Sequence, residues 1–137
     1  MPLVRIDLNE AMVEPKAEAV SEAIHRSIVS TFGIPNEDKF HVINMAQPGH
    51  LVALDAGLGF ERGANVVMVQ IFTQRGRTTE AKQALYRSIF QNLLDIGVPG
   101  TDVFIGYQEN GPEDWSFGFG LAQYLTGELN VPPMAAS

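Results

Sequence analysis

The chain has 137 residues, of which 45% are hydrophobic and 18% are charged, enough apolar material for one packed domain. Its formal charge of −7 argues against nucleic acid or an anionic membrane as a partner, because phosphate groups are bound by basic surfaces. The absence of cysteine excludes disulfides, thiolate nucleophiles and cysteine-based metal centres. With no signal peptide and no apolar run of about 20 residues, the sequence predicts a soluble, cytoplasmic protein with one domain over residues 1–137.

The first part of the chain, about residues 2–47, has the pattern of a β-α-β unit. Residues 3–8 alternate apolar and polar side chains, which is typical of a half-buried strand. Pro15 is expected to open the helix and Gly33 to end it, before a second strand at 40–45. The four-residue spacing of apolar side chains predicts a helix with one buried face, formed by Val20, Ile24, Ile28 and Phe32.

Residues 65–109 repeat this plan. Strands are predicted at 66–72 and 102–107, and Thr78 or Thr79 is expected to cap the helix between them. The buried face of that helix is predicted to consist of Ala81, Leu85, Ile89 and Leu93. The clearest internal match aligns Gly33-Ile34-Pro35-x-x-Asp38-x-Phe40 with Gly97-Val98-Pro99-x-x-Asp102-x-Phe104, which indicates two copies of one unit.

Two such units predict an α+β fold, in which a four-stranded sheet carries both helices on one face. The glycine-rich residues 48–64 are predicted to form a hairpin connector, and residues 110–137 an irregular tail. Because the other face of the sheet is left uncovered, we expect a homo-oligomer.

Pro2 and Asp38 are the first candidates for chemistry. Removal of Met1 would give Pro2 a secondary amine that titrates near neutral pH, so it could act as an acid or a base, or form an iminium with a carbonyl. Asp38 ends the Gly-Ile-Pro loop and enters a strand. Since Asp102 occupies the equivalent place in the second unit, a turn-forming role for Asp38 is the alternative.

Arg75 and Arg77 precede a predicted helix N-terminus. Residues two apart in an extended chain point the same way, so both guanidiniums are predicted to lie on one face and to bind a carboxylate; a solvated loop is the alternative. The tail adds a cluster of aromatic residues, which predicts either the apolar wall of a pocket or an interface plug; it comprises Trp115, Phe117, Phe119 and Tyr124.

The sequence predicts no metal site. The three histidines lie at no metal-ligand spacing and are interpreted as structural or solvated side chains; they are His25, His41 and His50.

Together these residues resemble the tautomerase superfamily and, within it, the malonate semialdehyde decarboxylases. The resemblance extends from Pro2 to Leu129. Its most specific parts are Asp55-x-Gly57-Leu58-Gly59-Phe60, Arg75-x-Arg77, and Glu109-Asn110 followed by Asp114-Trp115-Ser116-Phe117-Gly118. It implies a fold like that of macrophage migration inhibitory factor, assembled as a homotrimer with the active site near subunit contacts.

The resemblance also implies residue roles. Pro2 and Asp38 match the catalytic residues of the family, and Arg75 and Arg77 match its substrate-binding arginines. A hydrophobic wall is implied at Trp115, Phe117, Tyr124 and Leu129. Two departures stand out: Gly76 separates the arginines where a stiffer residue is expected, and Tyr124 carries a hydroxyl where phenylalanine is expected.

The implied activity is decarboxylation of a small 3-oxo acid such as malonate semialdehyde, with an accompanying hydratase activity and with no metal or organic cofactor. Two alternatives use the same site: keto–enol tautomerisation of a 2-oxo acid, with neutral Pro2 as general base, and dehalogenation of a haloacrylate. An alternative of another class is a non-catalytic trimeric domain that binds a carboxylate or a protein partner.

Overall fold

A computed structural model describes residues 2–131. The strands are β1 (Leu3–Asn9), β2 (Phe40–Ala46), β3 (Val67–Gln74) and β4 (Val103–Asn110). The helices are α1 (Ala17–Phe32), α2 (Thr79–Asp95) and the short α3 (Gln123–Thr126), with 3-10 turns at Gly100–Asp102 and Pro112–Asp114. In this part of the chain, no helix combines the length and the apolar character that crossing a membrane requires.

The four strands form one mixed sheet in the order β2-β1-β3-β4. β1 is parallel to β2 and β3 is parallel to β4, whereas β1 and β3 are antiparallel. This arrangement confirms the predicted sheet of two β-α-β units. Because of these directions, the N-terminal ends of β1 and β2 and the C-terminal ends of β3 and β4 all lie at the same end of the sheet.

The core lies between the two central strands and the two long helices. It contains the fully buried side chains Val4, Ile6, Leu8, Val67, Val69, Ile71, Val20, Ile24, Ile28, Leu85, Ile89 and Leu93. Burial of each side chain of this size contributes roughly 1.5–3 kcal/mol. Both helices therefore cover one face, as predicted, while Val42 and Phe104 are exposed on the opposite face.

The helix ends confirm two predictions and correct one. The Gly33 N–H donates to the Val29 carbonyl at 2.9 Å, and Gly33 takes the left-handed φ of 68° that favours glycine. The Thr78 hydroxyl, rather than that of Thr79, accepts the Ala81 N–H at 3.1 Å. Pro15, however, does not open α1. Lys16 has extended backbone (ψ 155°), so the helix begins after it, at Ala17.

The connector differs from the prediction, since residues 47–66 contain no strand and form no hairpin. The Asp55 carboxylate instead accepts the N–H groups of Gly57 at 3.1 Å and Gly59 at 2.8 Å. These hydrogen bonds hold the pKa of Asp55 below its usual value. The aspartate thus provides acceptors for these backbone N–H groups within the loop. In a hairpin, such groups would donate to the carbonyls of the facing strand.

The chain after β4 is largely irregular. It contains the turn at Pro112–Asp114, a single bridge between Gly118 and Leu121, and α3. The end of the predicted tail, residues 132–137, lies outside the described residues, as does Met1.

Candidate active site

Four elements bring the predicted site residues to one end of the sheet. Pro2 directly precedes β1, and Asp38 lies two residues before β2. The two arginines follow β3, and the aromatic segment follows β4. Leu3 pairs with Phe40 on one side and Phe72 on the other, so the buried Pro2 lies between the chain entering β2 and the chain leaving β3. Antiparallel pairing of the two units thus joins residues that are far apart in sequence.

The Asp38 carboxylate has one buried oxygen, Oδ1, with no hydrogen-bond partner within residues 2–131. The Asp38 N–H donates to the Pro35 carbonyl at 3.1 Å, which closes the turn that leads into β2. Burial raises the pKa of Asp38, and nearby positive charge, including that of Arg77, partly offsets this effect. The arrangement is that of a carboxylate poised to accept a proton or a hydrogen bond.

Asp102 forms the same turn in the second unit but has a different environment. Its N–H donates to the Pro99 carbonyl at 2.9 Å, in parallel with Asp38. Its side chain is buried, and Oδ1 accepts the Gly63 N–H at 2.6 Å. Asp102 therefore fixes the connector to the sheet, whereas the equivalent oxygen of Asp38 has no such partner among the described residues.

Two neighbouring cavities open at this end of the sheet. The Asp38 cavity, of about 320 Å³, is lined by Pro35, Glu37, Asp38, Phe40, Tyr124, Leu129 and Asn130. The Trp115 cavity, of about 430 Å³, is lined by Leu3, Phe40, Phe72, Asn110, Asp114, Trp115, Ser116 and Phe117. Phe40 lines both cavities, so the two are adjacent.

The predicted hydrophobic wall forms a continuous aromatic surface. The rings of Trp115 and Phe117 are parallel, with centroids 5.9 Å apart, and Phe117 meets Tyr124 edge to face at 5.4 Å. The indole N–H of Trp115 donates to Asn110 Oδ1 at 2.9 Å, which fixes the ring at the end of β4. Leu129 lies with Tyr124 in the Asp38 cavity. Such a surface excludes water and strengthens electrostatic interactions beside it.

The two arginines contact different elements. The Arg75 side chain is exposed, and its guanidinium lies against Gly111 after β4. The Arg77 guanidinium lies 4.2 Å from the centroid of the Phe32 ring at the end of α1, and its Nη1 is 3.4 Å from Thr73 Oγ1. Gly76 between them has a φ of 126°, so the regular extended alternation that the prediction assumed does not hold at this point.

The sequence analysis missed Gln74, the last residue of β3. Its side chain is 6% exposed, and its Nε2 has no hydrogen-bond partner in the part of the chain that the structure describes. The hydroxyl of Tyr124 lies beside it, and burial together with the negative charge of Asp38 raises the pKa of Tyr124. A glutamine that ends an apolar strand is a weak signal in sequence, because its burial depends on the tail that folds over it.

Two of the histidines lie close to the turn that carries Asp38. His41 Nδ1 is 2.8 Å from Ser21 Oγ, and burial lowers the pKa of His41 to about 4. The buried His25 meets the His41 ring edge-on at 5.7 Å, whereas His50 is exposed in the connector. Their contacts agree with the interpretation of structural or solvated histidines.

Solved structures that are similar to this chain include two malonate semialdehyde decarboxylases. One is the FG41 enzyme inhibited by 3-bromopropiolate, with 47% identity, a TM-score of 0.90, and coverage of 95% of this chain and 99% of the other. The second, solved in wild-type, mutant and inactivated forms, has 33% identity and a TM-score of 0.85, covering 93% and 98% of the two chains. A fused 4-OT solved as a symmetric trimer, at 21% identity and a TM-score of 0.72, covers 91% and 98% and shares the fold.

Sequence comparisons agree with the structural ones. Two family models, both described as tautomerase enzyme, match residues 38–118 and 2–61. The probable tautomerase YrdN of Bacillus subtilis (strain 168) is 35% identical over 94% of this chain and 100% of its own length. YusQ, a second probable tautomerase of that strain, is 36% identical over 91% of this chain and 99% of its own length. Together with the shared sheet and helices, these matches show that the chain belongs to the tautomerase superfamily.

Proposed function

We propose that this protein is a cofactor-independent decarboxylase of a small 3-oxo acid, with malonate semialdehyde as the first substrate to test. The observation that carries the proposal is the buried Asp38 oxygen, which has no hydrogen-bond partner among residues 2–131, in a cavity with an aromatic wall at the end of the sheet where Pro2 precedes β1. The 47% identity to a malonate semialdehyde decarboxylase over 95% of the chain supports the same reaction.

The proposed chemistry depends on an electron sink at the substrate carbonyl. When the bond between C2 and the carboxylate breaks, its electron pair moves into the carbonyl and forms an enolate, and CO2 leaves. Protonated Pro2 would stabilise the developing charge by donating a hydrogen bond to the carbonyl oxygen. Protonation of the enolate at carbon, by the Pro2 ammonium or by water, then gives acetaldehyde from malonate semialdehyde. Asp38 would hydrogen-bond the Pro2 ammonium, or position a water in the hydratase reaction.

The substrate carboxylate needs hydrogen-bond donors that hold it in one orientation. In that orientation, the bond that breaks is perpendicular to the plane of the carbonyl group. The donors that we propose for this contact are the hydroxyl of Tyr124, which lines the Asp38 cavity, and the buried amide of Gln74 beside it. In this proposal Arg75 and Arg77 supply positive charge at the entrance, which attracts the anion to an otherwise acidic protein. The aromatic wall of Trp115, Phe117, Tyr124 and Leu129 favours neutral CO2 over the charged carboxylate.

We also propose that the protein is a homotrimer. The sheet face opposite the helices exposes apolar side chains such as Val42 and Phe104, and the connector exposes Leu54 and Leu58. A second and third copy of this chain would cover both surfaces. Light scattering after size-exclusion chromatography should give three times the 15.0 kDa of one chain. A monomer would contradict the assembly and leave the decarboxylase proposal standing.

The activity is tested by incubating the protein with malonate semialdehyde and following acetaldehyde by proton NMR. Intact mass spectrometry must first show that the chain begins at Pro2. We expect Pro2→Ala to reduce turnover by at least about a hundredfold, in the range of a lost acid catalyst. Pro48→Ala, in the exposed connector, is the matched control and should leave turnover unchanged. Equal rates for wild type and Pro2→Ala would contradict the proposal.

Keto–enol tautomerisation of a 2-oxo acid is the second candidate, favoured by the names of the two Bacillus relatives, both probable tautomerases. In that reaction Pro2 must be neutral, because it removes a proton from carbon. The pH dependence of kcat separates the two reactions. Tautomerisation requires the rate to rise as Pro2 loses its proton, whereas the proposed decarboxylation requires the rate to fall.

A further inference from the structure

His25 occupies a position at which the second unit has an apolar residue. The offset of 64 residues that takes Gly33 to Gly97 and Asp38 to Asp102 also takes His25 to Ile89. Both side chains are buried, with 2% and 0% exposed. Ile89 packs in the core without any polar requirement. A buried imidazole costs free energy unless it is hydrogen-bonded, so the first unit requires a reason for this residue.

One ring nitrogen, Nε2, makes a hydrogen bond that gives that reason, whereas Nδ1 is buried without a partner within residues 2–131. His25 Nε2 lies 2.7 Å from the carbonyl oxygen of Asn36. Because a carbonyl can only accept, Nε2 carries the proton and the imidazole is the donor. Asn36 lies within the turn that the Asp38 N–H closes onto the Pro35 carbonyl. The histidine thus connects α1 to the backbone of the turn that carries Asp38.

The second unit holds its turn differently. Ile89 has no donor, and the carboxylate of Asp102 is itself fixed by the Gly63 N–H. Within residues 2–131, Asp38 has no such bond on its buried oxygen, which leaves that oxygen free for the proposed chemistry. Among residues 2–131, the hydrogen bond that holds Asp38 is therefore the one made by its backbone N–H. The unit whose aspartate oxygen has no partner in the described part of the chain is the unit with the histidine.

We infer that His25 is a positioning residue for Asp38, which it places by donating Nε2–H to the Asn36 carbonyl and so fixing turn 35–38. This inference rests on the proposed function, in which Asp38 acts in the site. A carboxylate displaced by about 1 Å is expected to react up to a hundredfold more slowly, because the geometry of the reacting groups controls the rate. The fold itself does not require the histidine, since Ile89 fills the equivalent place.

Two substitutions separate positioning from packing. His25→Ile introduces the residue of the second unit and removes the donor. His25→Gln retains an amide N–H close to the place of Nε2. We expect His25→Ile to lower kcat about tenfold with little change in KM, and His25→Gln to restore the rate to within about threefold of wild type. Equal kcat values for wild type and His25→Ile would overturn the inference.

Hydrogen exchange provides a readout that does not depend on the substrate. Peptides containing residues 34–38 should exchange faster in His25→Ile than in wild type and His25→Gln. The matched control is Asn92→Ala, which removes a 2.8 Å hydrogen bond from α2 to Ser27 Oγ on α1 and leaves the turn untouched. It should lower Tm without changing exchange at 34–38 or kcat. Unchanged exchange in His25→Ile would overturn the inference.

A double-mutant cycle shows whether His25 acts through Asp38. In an Asp38→Asn background, His25→Ile should change kcat less than twofold, because the group being positioned is already inactive. A further tenfold loss would overturn the inference and leave the decarboxylase proposal intact. Absence of turnover in wild-type protein beginning at Pro2 would instead overturn the proposed function, and hydrogen exchange would still decide whether His25 holds the turn.

Discussion

Asp38 and Asp102 form the same turn in the two halves of the molecule, yet only one of them uses its side chain to hold the fold within the described residues. Each donates its N–H to a proline carbonyl three residues earlier, at 3.1 and 2.9 Å. Asp102 Oδ1 accepts the Gly63 N–H, whereas Asp38 Oδ1 is buried without a partner among residues 2–131. The repeat thus contains an internal comparison between a structural and a candidate catalytic aspartate.

We expect Asp38→Asn to lower activity in the chain that begins at Pro2, and to stabilise the chain that keeps Met1, in which the Pro2 nitrogen is an amide that cannot pair with Asp38. Burial raises the pKa of Asp38, so the folded protein binds this proton more tightly than the unfolded chain, whose value is near 3.8. The stabilising contribution of the carboxyl is present below pH 3.8 and is lost as the pH rises through the raised pKa. Because solvent screens a half-buried group, we expect a rise in Tm of only about 2 °C at pH 7.

The comparison is Asp102→Asn, measured under the same conditions. That substitution weakens a charge-assisted hydrogen bond and should lower the free energy of unfolding by about 1–2 kcal/mol, without a direct effect on kcat. Thermal unfolding of both variants at pH 7 and pH 4 provides the measurement. A fall in Tm for Asp38→Asn at pH 7 in the chain that keeps Met1 would show that the carboxylate has a structural partner other than the Pro2 ammonium.

His41 should make the protein sensitive to acid. Burial lowers its pKa to about 4, below the ordinary value of 6.5, so between these two values the unfolded chain binds more protons than the folded protein. Stability is therefore lost as the pH falls from about 6.5 towards 4. His41→Asn retains a polar group for Ser21 Oγ and cannot titrate. The Tm of wild type should fall roughly 3 °C more than that of the variant over this range; parallel curves would contradict the prediction.

Gln74→Leu tests whether the buried amide binds the substrate. The variant removes a polar group that has no partner in the described residues, so its Tm should equal or exceed that of wild type. Loss of one hydrogen bond to a charged carboxylate, worth about 1.5 kcal/mol or more, should raise KM about tenfold. Gln83→Leu, on the exposed side of α2, is the control for the change in side chain. An unchanged KM for Gln74→Leu would remove Gln74 from the site.

Local patterns predicted the elements of the fold well, because each depends on nearby residues. The spacing of Val20, Ile24 and Ile28 reflects one helical face, and Gly33 ends that helix for a steric reason. The prediction of a hairpin connector was wrong. The Asp55 carboxylate accepts N–H groups of its own loop, and residues 47–66 contain no strands that could pair. The burial of Gln74 was not predictable, since it depends on how the tail after β4 folds over this end of the sheet.

The final prediction tests whether the two arginines bind the substrate carboxylate directly, as inferred from the sequence. Arg77→Ala should lower the free energy of unfolding by about 1 kcal/mol, because the guanidinium packs 4.2 Å from the Phe32 ring. Arg75→Ala should leave Tm unchanged, since its side chain is exposed. If both arginines act by attracting the anion, each variant should raise KM about twofold at low salt, and about 0.5 M NaCl should abolish the difference through screening. A tenfold or larger rise in KM for both variants that persists in salt would show that they grip the carboxylate directly, as the resemblance implies.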